Sequence, residues 1–595
     1  MRKTFVWVTI LMSLAVQAQV APKVYASDSR LTMAIGMRAK IVSLADFTLQ
    51  LQTATKVRFS VSPDIEDRKI TAIFHDRPVK VVMKAVEDAL FLQWRKSKDG
   101  YVLSLPSNVA NEEQQLLDAE DRTLRAGLID GLNYYAEIFG LPKAELDRRD
   151  AAFKQQIAAL QQDTSTDTQK KSLGLQFQQF ALKSTAGPAI CKALEGKLPS
   201  VVDSLLAGQT VCGSTRAAYA VTPLSTEFMN QVLVKQPDAA AVIVMMRFAP
   251  ALNEIQGRTV MSSTNERAGN TMFDIFQCRP LLAGSDEVKT SKLALRLSKW
   301  QEDPDRSVLD KSIVVEARKA DPPGYVSSSN RAGYTLAEHL EYIADHADIP
   351  VIGDAFRIYC SGPMYRPETT VRGYVEGLRQ SKHLTRSIQL PPIGYFAARD
   401  GWLFVRHNDF WRKALSEIPE SRLLPLEEVA RTQKFASPED YAKLVGSLSY
   451  LQKSGISTVD SAFKFDPSPL ALAFYSLRLW STLSPDQAAA TRADGLNLAQ
   501  LPPTQAAMVR DEVADKMWQG RLPAPIWGPF FSPNGLAGIN ARLKFRVLDG
   551  ESHGGTYPNG FPIPVGSREQ VNFEYDLTSD VRLSDMYVIA SVKSP

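Results

Sequence analysis

The chain has 595 residues, 44% of them hydrophobic, and its 69 Lys and Arg against 65 Asp and Glu leave a formal net charge of +4. A chain of this length holds several cores, about three to five domains at roughly 100–200 residues each. Such a near balance of charge argues against a dedicated nucleic-acid-binding protein, which carries a basic face or tract.

The N-terminus reads as an export signal. Arg2 and Lys3 give a positive start, Phe5 to Val16 is a short apolar run, and Val16-Gln17-Ala18 places small residues where a signal peptidase reads. The run is shorter than the about 20 residues a membrane-spanning helix needs. No Cys follows it, which argues against a lipid anchor. Residues 1–26 are therefore expected to be a signal peptide, with the mature chain starting near Gln19, or near Ser27 if Val24-Tyr25-Ala26 is the site; an uncleaved anchor is the alternative. Ala239 to Met246, the best later apolar run, is interrupted by Arg247 and reads as a buried strand or core helix.

From Leu31 to Pro106 the elements follow in a clear order. Met37 to Val42 predicts a strand. Ser43-Leu44-Ala45-Asp46 is a capping box, and Leu44, Phe47 and Leu51 mark one face of the helix behind it. Val57 to Val61 alternates like a half-buried strand, Pro63-Asp64 turns, and Lys69 to Phe74 is a further strand. Pro78 opens a second helix, whose apolar face is Val79, Val82, Met83, Val86 and Leu90. Leu92 to Arg95 and Tyr101 to Leu105 close a hairpin across Lys98-Asp99-Gly100.

This β-α-β-β-α-β-β order, with VSLADFTLQLQ, VRFSVSPDI, KITAIFHDRPVKVVMKAVEDAL and DGYVLSL, resembles the secretin/TonB N-terminal short domain over about one-eighth of the chain. The resemblance implies a periplasmic protein–protein adaptor. In that family, modules on TonB-dependent transducers contact an anti-sigma regulator, and modules on secretins face inner-membrane machinery. Downstream of Pro106 there is no plug-like segment, no run of barrel strands and no Gly-rich secretin core, so the module is expected on a different body.

Residues 330–407 read as a degenerate second copy. Thr335-Leu336-Ala337-Glu338 repeats the capping box, and Leu336, Leu340, Ile343 and Ala347 give a helical face. Val371, Tyr374, Val375 and Leu378 repeat the spacing of the second helix, Asp400 to Val405 echoes Asp99 to Leu103, and an insertion falls around Ile388 to Phe396. His339 and His346, with Asp345 and Cys360 near in sequence, suggest a metal site. In the register of the repeat they replace Phe47 and Ala54, both candidate inward positions, and packed or surface histidines are the better reading.

The rest of the chain carries weaker signals. Glu112 to Leu206 has helical periodicity through Leu116, Leu124, Leu128, Leu132, Tyr135 and Ile138, with a polar loop at Thr164 to Gln169. Leu293 to Leu297 hints at strand alternation, and Ser312 to Ala317 is another strand candidate. Helices are expected after Ser437, after Ser484 and over Thr504 to Trp518. The tail turns to β structure at Ala541 to Leu548, Val571 to Tyr575 and Tyr587 to Val592. Trp527, Phe530, Phe531 and Phe561 there are candidates for stacking on a sugar or peptide, against the commoner role of pinning loops to a core.

Of the four cysteines, Cys191 and Cys212 are nearest in sequence and form the candidate disulfide, with buried free thiols as the alternative. No GxSxG, HExxH, GxxxxGK[ST] or strand-following GxGxxG is present, and acidic pairs such as Asp118 with Glu120 and Glu137 with Glu145 read as solvated helix faces. No catalytic, cofactor or metal residue is assigned.

The expected fold is α+β and multidomain: a signal peptide at 1–26, the small module at 28–107, a mainly helical region at 110–285, an α/β region with the repeat at 286–412, a helical region at 413–520 and a β-rich tail at 521–595. The expected function is that of an exported, periplasmic or secreted adaptor or scaffold without a membrane span, binding another envelope protein through its N-terminal module. The alternative is a secreted enzyme or cell-wall or glycan binder acting through the helical body or the aromatic tail.

Overall fold

The computed structural model describes residues 23–160, 166–216, 222–249, 253–263, 271–278, 292–301, 304–313, 334–354, 359–360, 369–380, 394–407, 410–419, 422, 438–449, 451–452, 475–518, 530, 536, 540–553, 565–576 and 582–589. Its first elements are β1 (Ala34–Ser43), α1 (Leu44–Thr55), β2 (Arg58–Val61), β3 (Lys69–Pro78), α2 (Val79–Leu90), β4 (Gln93–Lys96) and β5 (Gly100–Ser104). Ser43 starts α1 because its Oγ accepts the Asp46 N–H at 3.0 Å, satisfying a first-turn donor, and in turn donates to Asp46 Oδ2 at 2.8 Å. Lys56, in the left-handed region at φ 61°, ends the helix by donating its N–H to Gln52 O at 2.8 Å. Two sheets form. β1 pairs antiparallel with β3, and β2 pairs parallel with β5, which also takes β4 antiparallel.

The next 175 or so residues hold α3 (Ser107–Ile138), α4 (Lys143–Leu160), α5 (Thr166–Ala181), α6 (Ala186–Ala193), α7 (Leu198–Leu206), β6 (Val211–Ser214), β7 (Thr222–Pro223), α8 (Thr226–Lys235), β8 (Ala239–Ala249), β9 (Glu254–Ser263) and β10 (Thr271–Cys278). The described residues are helical through α7, where the periodicity lies, and the region then ends in a five-stranded sheet of order β10-β9-β8-β6-β7. β8 is buried on both sides. Val242, Val244 and Met246 pack with α3, α6, α7 and α8, while Ile243 and Met245 join the core of the C-terminal half. Double-sided burial removes the polar alternation that marks a strand, so Ala239 to Met246 reads as an undivided apolar run. The polar stretch expected as a loop divides: 161–165 lie outside the described residues, and Thr166 to Gln169 begin α5.

Further on come α9 (Lys292–Ser298), β11 (Ser312–Ile313), β12 (Tyr334–Thr335), α10 (Leu336–Ala347), β13 (Val351–Gly353), β14 (Tyr359–Cys360), β15 (Thr369–Thr370), α11 (Val371–Gln380), β16 (Tyr395–Arg399), β17 (Trp402–Arg406) and α12 (Phe410–Ser416). Leu293 to Leu297 are helical, not extended: Leu293 and Leu297 are buried four residues apart and Leu295 between them is exposed. The strand candidate at Ser312 to Ala317 is described only at Ser312–Ile313, which pairs with β15, and 388–393 of the expected insertion lie outside the described residues.

The C-terminal half holds α13 (Pro438–Ser447), α14 (Tyr475–Thr482), α15 (Pro485–Arg492), β18 (Leu496–Asn497), α16 (Pro503–Trp518), β19 (Arg542–His553), β20 (Val565–Asp576) and β21 (Arg582–Ile589). Ser484 and Gln487 form the full reciprocal capping box of α15. The last strands make a sheet of order β18-β19-β20-β21. The molecule is thus α+β and multidomain. Among the described residues no helix is long and apolar enough to cross a membrane.

Candidate functional site

Residues 334–406 carry the same pairings as residues 34–104. β12 pairs antiparallel with β14 as β1 does with β3, and β13 pairs parallel with β17 as β2 does with β5. β16 lies antiparallel on β17 as β4 does on β5. The backbone agrees in detail. Asp348, with φ 47°, stands where Lys56 does, and Asp354 N–H donates to Val405 O as Ser62 N–H donates to Leu103 O.

The two modules meet edge to edge. β3 of the first pairs antiparallel with β13 of the second, with Ile73 opposite Val351, Ala72 opposite Ile352 and Thr71 opposite Gly353. The result is one five-stranded sheet, β1-β3-β13-β17-β16, drawn from both modules. One face, with Ile70, Ala72, Phe74, Ile352, Ala397, Trp402 and Phe404, belongs to the core over α1 and α2. The other, with Ile73, Val351, Leu403 and Val405, belongs to the core under α10 and α11. Ion pairs cross the same boundary: Lys40 with Glu341 at 2.8 Å, Arg38 with Glu341 at 2.6 Å and with Asp345, and Lys84 with Asp400 at 2.6 Å. These are exposed and each is worth about 1 kcal/mol or less. Apolar burial across the sheet holds the pair together.

In the first module the edge equivalent to β13 is β2, and it ends its sheet, with β5 as its one paired strand among the described residues. Ser62 N–H donates to Leu103 O at 2.9 Å. By the alternation of a strand, Ser60 also turns toward β5, while Phe59 and Val61 present their backbone groups to the open side. The Phe59 N–H is met there by a side chain, Gln52 Oε1 at 3.3 Å. The residue equivalent to Gln52 in the second module is Ala344, and there β3 takes the place of the side chain. The outer faces differ as well. Ile352, Ala397 and Phe404 of the second module correspond to Ser60, Arg95 and Val102 of the first, where Ser60 and Arg95 are exposed.

Where the modules adjoin α3 and α12, a buried ionic cluster forms. Arg406 Nε donates to Asp354 Oδ2 at 3.0 Å, and the His407 N–H donates to Asp354 Oδ1 at 2.8 Å. The Arg406 guanidinium lies 3.4 Å from the Phe410 ring centroid and 5.3 Å from that of Phe91. Burial pushes the Asp354 carboxyl up against the opposing pull of Arg406, and burial likewise lowers the pKa of Arg406. Beside them Arg68 holds Glu113 of α3 in a two-pronged pair at 2.7 and 3.0 Å.

The residues singled out from sequence are scattered. Cys191 and Cys212 do not form a disulfide: both are buried free thiols, Cys191 in the core of α3 and α6 and Cys212 in the core shared with α13, α14 and α16. Closeness in sequence placed them near one sheet, but they belong to the cores on its two sides. Phe530 is buried in the C-terminal core, so it presents no stacking face; Trp527, Phe531 and Phe561 lie outside the described residues. His339 is buried with Nδ1 2.8 Å from Tyr374 Oη, at the inward position of Phe47. His346 is exposed and stacks on Tyr342 at 3.8 Å, so the inward position is that of Ala347, one residue on. No group of three or more His, Cys, Asp or Glu among the described residues is arranged to hold a metal ion. Of the acidic pairs, Glu120 is ion-paired with Arg412, and Glu137 and Glu145 with Arg149, while Asp118 accepts a hydrogen bond from Gln114 Nε2 at 2.8 Å.

Sequence reasoning did not single out Gln52, Phe59 or Val61. A signal was present in the difference between the copies, polar Gln52 and Ser60 against apolar Ala344 and Ile352. Compared with protein-family models, with curated proteins and with solved structures, the chain matches none.

Proposed function

We propose that this chain is an exported adaptor or scaffold that binds another envelope protein through its N-terminal module. The observation that carries the reading is one sheet edge that occurs twice, filled in one module and unfilled in the other among the described residues. In the second module the edge is filled by a strand from outside the module, and in the first no strand among the described residues fills it and one glutamine tends it. A module that recognises by strand pairing within the chain has the chemistry to do so between chains. The likeness of residues 31–106 to the secretin/TonB N-terminal short domain and the charged start of the chain support the same reading. The glycan-binding alternative loses Phe530, which serves the core.

Removing residues 28–107 is a poor test, since it strips β3 from the shared sheet and bares Ile352, Trp402 and Phe404. The test keeps the full chain in the producing cell and places photoreactive residues singly at Leu49, Arg58 and Arg95 of the first module, and at Arg372 as a control outside it. One envelope protein recovered from first-module positions and not from Arg372 is the expected result. Equal recovery from both, or none from the first module, overturns the reading.

A further inference from the structure

We propose that the open β2 edge is the docking surface itself, and that its occupant is an extended, acid-bearing segment of a second protein, added antiparallel as a fourth strand. This rests on the adaptor reading above.

The chain supplies the template. β13 accepts β3 antiparallel over three residues, and the same positions on β2 are Phe59, Ser60 and Val61. The N–H of Phe59 is engaged at 3.3 Å by Gln52, a long contact for an N–H to oxygen bond, so an incoming carbonyl competes with a side chain and not with a strand. The occupant is not another module docking as the second does on the first. That packing buries Ile352, Ala397 and Phe404, and the first module offers the polar Ser60 and Arg95 at two of those places. A bare strand needs no such face.

Charge selects its side chains. An occupant residue opposite Ser60 falls on the outer face, within diagonal reach of Arg58. The Arg58 side chain is 69% exposed, and its ion pair with Asp99 is a loose one at 3.5 Å. Lys56 and Arg95, both exposed, flank the same region. Acidic side chains at alternate positions of the occupant meet this basic rim.

The experiment adds two ten-residue probes to the full chain, one alternating valine with glutamate and the other valine with lysine, and follows amide hydrogen exchange. The glutamate probe is expected to slow exchange at Phe59 and Val61, leaving β13 unchanged, and the lysine probe to do so weakly. Gln52→Ala should tighten glutamate-probe binding by roughly two- to tenfold, the worth of one competing hydrogen bond. Arg58→Glu, at an exposed position that leaves the backbone alone, should reverse the preference between probes. Protection confined to β1 or β4, protection by neither probe, or equal protection by both that Arg58→Glu leaves unchanged would each overturn the proposal. If first-module crosslinks persist while Phe59 and Val61 stay unprotected by either probe, the adaptor reading survives and this edge is not its surface.

Discussion

Ile73 tests the shared sheet most directly. It lies on β3 of the first module, yet its side chain is fully buried among Leu340, Ile343, Val351 and Val405 of the second. In an isolated first module it would face outward. Ile73→Ala leaves a cavity walled by strands and a helix, and such a change costs about 2–5 kcal/mol. The walls belong to the five-stranded sheet and to α10, which limits collapse, so about 3 kcal/mol or more is expected. A multidomain chain has no single unfolding free energy. The assay is therefore native-state hydrogen exchange of the full chain, read separately in residues 44–55, 69–78 and 351–354. Protection in β3 and β13 should fall together, because they share backbone bonds, and α1 should follow while β8 and β9 keep theirs. Loss in β13 with β3 and α1 unchanged would refute the claim that the two modules form one cooperative unit.

Glu341→Gln breaks the two exposed pairs to Arg38 and Lys40 and should cost no more than about 2 kcal/mol by the same exchange measurement. Asp354→Ala leaves the Arg406 guanidinium buried without its carboxylate, so a loss of about 3–5 kcal/mol is expected, most of it regained in the double variant Asp354→Leu with Arg406→Met. Asp511 is pushed up to about 6, chiefly by burial, from its ordinary value of 3.8. Its folded form therefore binds the proton more tightly than its unfolded form, and its contribution to stability falls as pH rises through that window and stays low above it. Asp511→Asn should flatten this fall, with a gain of about 2–3 kcal/mol at pH 7.5 that shrinks toward pH 4 in native-state hydrogen exchange of α16. Burial raises the thiols of Cys191, Cys212 and Cys278, the last two to about 12. None of the three should react with a thiol reagent in the native chain at pH 8, and all should after unfolding.

The first module was legible because its signals are local. A capping serine, helical faces at Phe47 and Leu51, and turn residues between short strands each act within a few positions. What was not legible is long-range. Lys69-Ile70-Thr71-Ala72 alternates in polarity and Ile73 breaks the pattern, and the reason is burial on both sides: Ala72 and Phe74 face one core and Ile73 the other. The partner that covers Ile73 lies more than 270 residues away. The same blindness explains the cysteines, where spacing along the chain carried no information about which side of a sheet each thiol joins. The edge at β2 was hidden for a different reason: an open edge is defined by what does not pair with it, and a single strand's sequence cannot say that.

The register of the last hairpin accounts for the unequal behaviour of two otherwise matching modules. By sequence, Asp400-Gly401-Trp402 aligns with Asp99-Gly100-Tyr101, which would set Trp402 beside Tyr101 on the inner face. The pairings place it one residue away. Phe396 lies opposite Val405 as Trp94 lies opposite Leu103, so Leu403 corresponds to Tyr101 and Trp402 to Gly100. The turns differ in kind. Asp400 and Gly401 both have positive φ, 51° and 76°, as a type I′ turn requires, whereas Lys98 and Asp99 do not. Because side chains alternate, a shift of one residue moves a whole set across the sheet. Trp402 and Phe404 thereby reach the outer face of the second module, where Phe74 of β3 meets Trp402 at 5.5 Å. The first module has Gly100 and Val102 at those places and keeps its outer face polar. One module is thus built to be covered and the other to end the stack, and the difference begins with where an Asp-Gly pair sits in a two-residue turn.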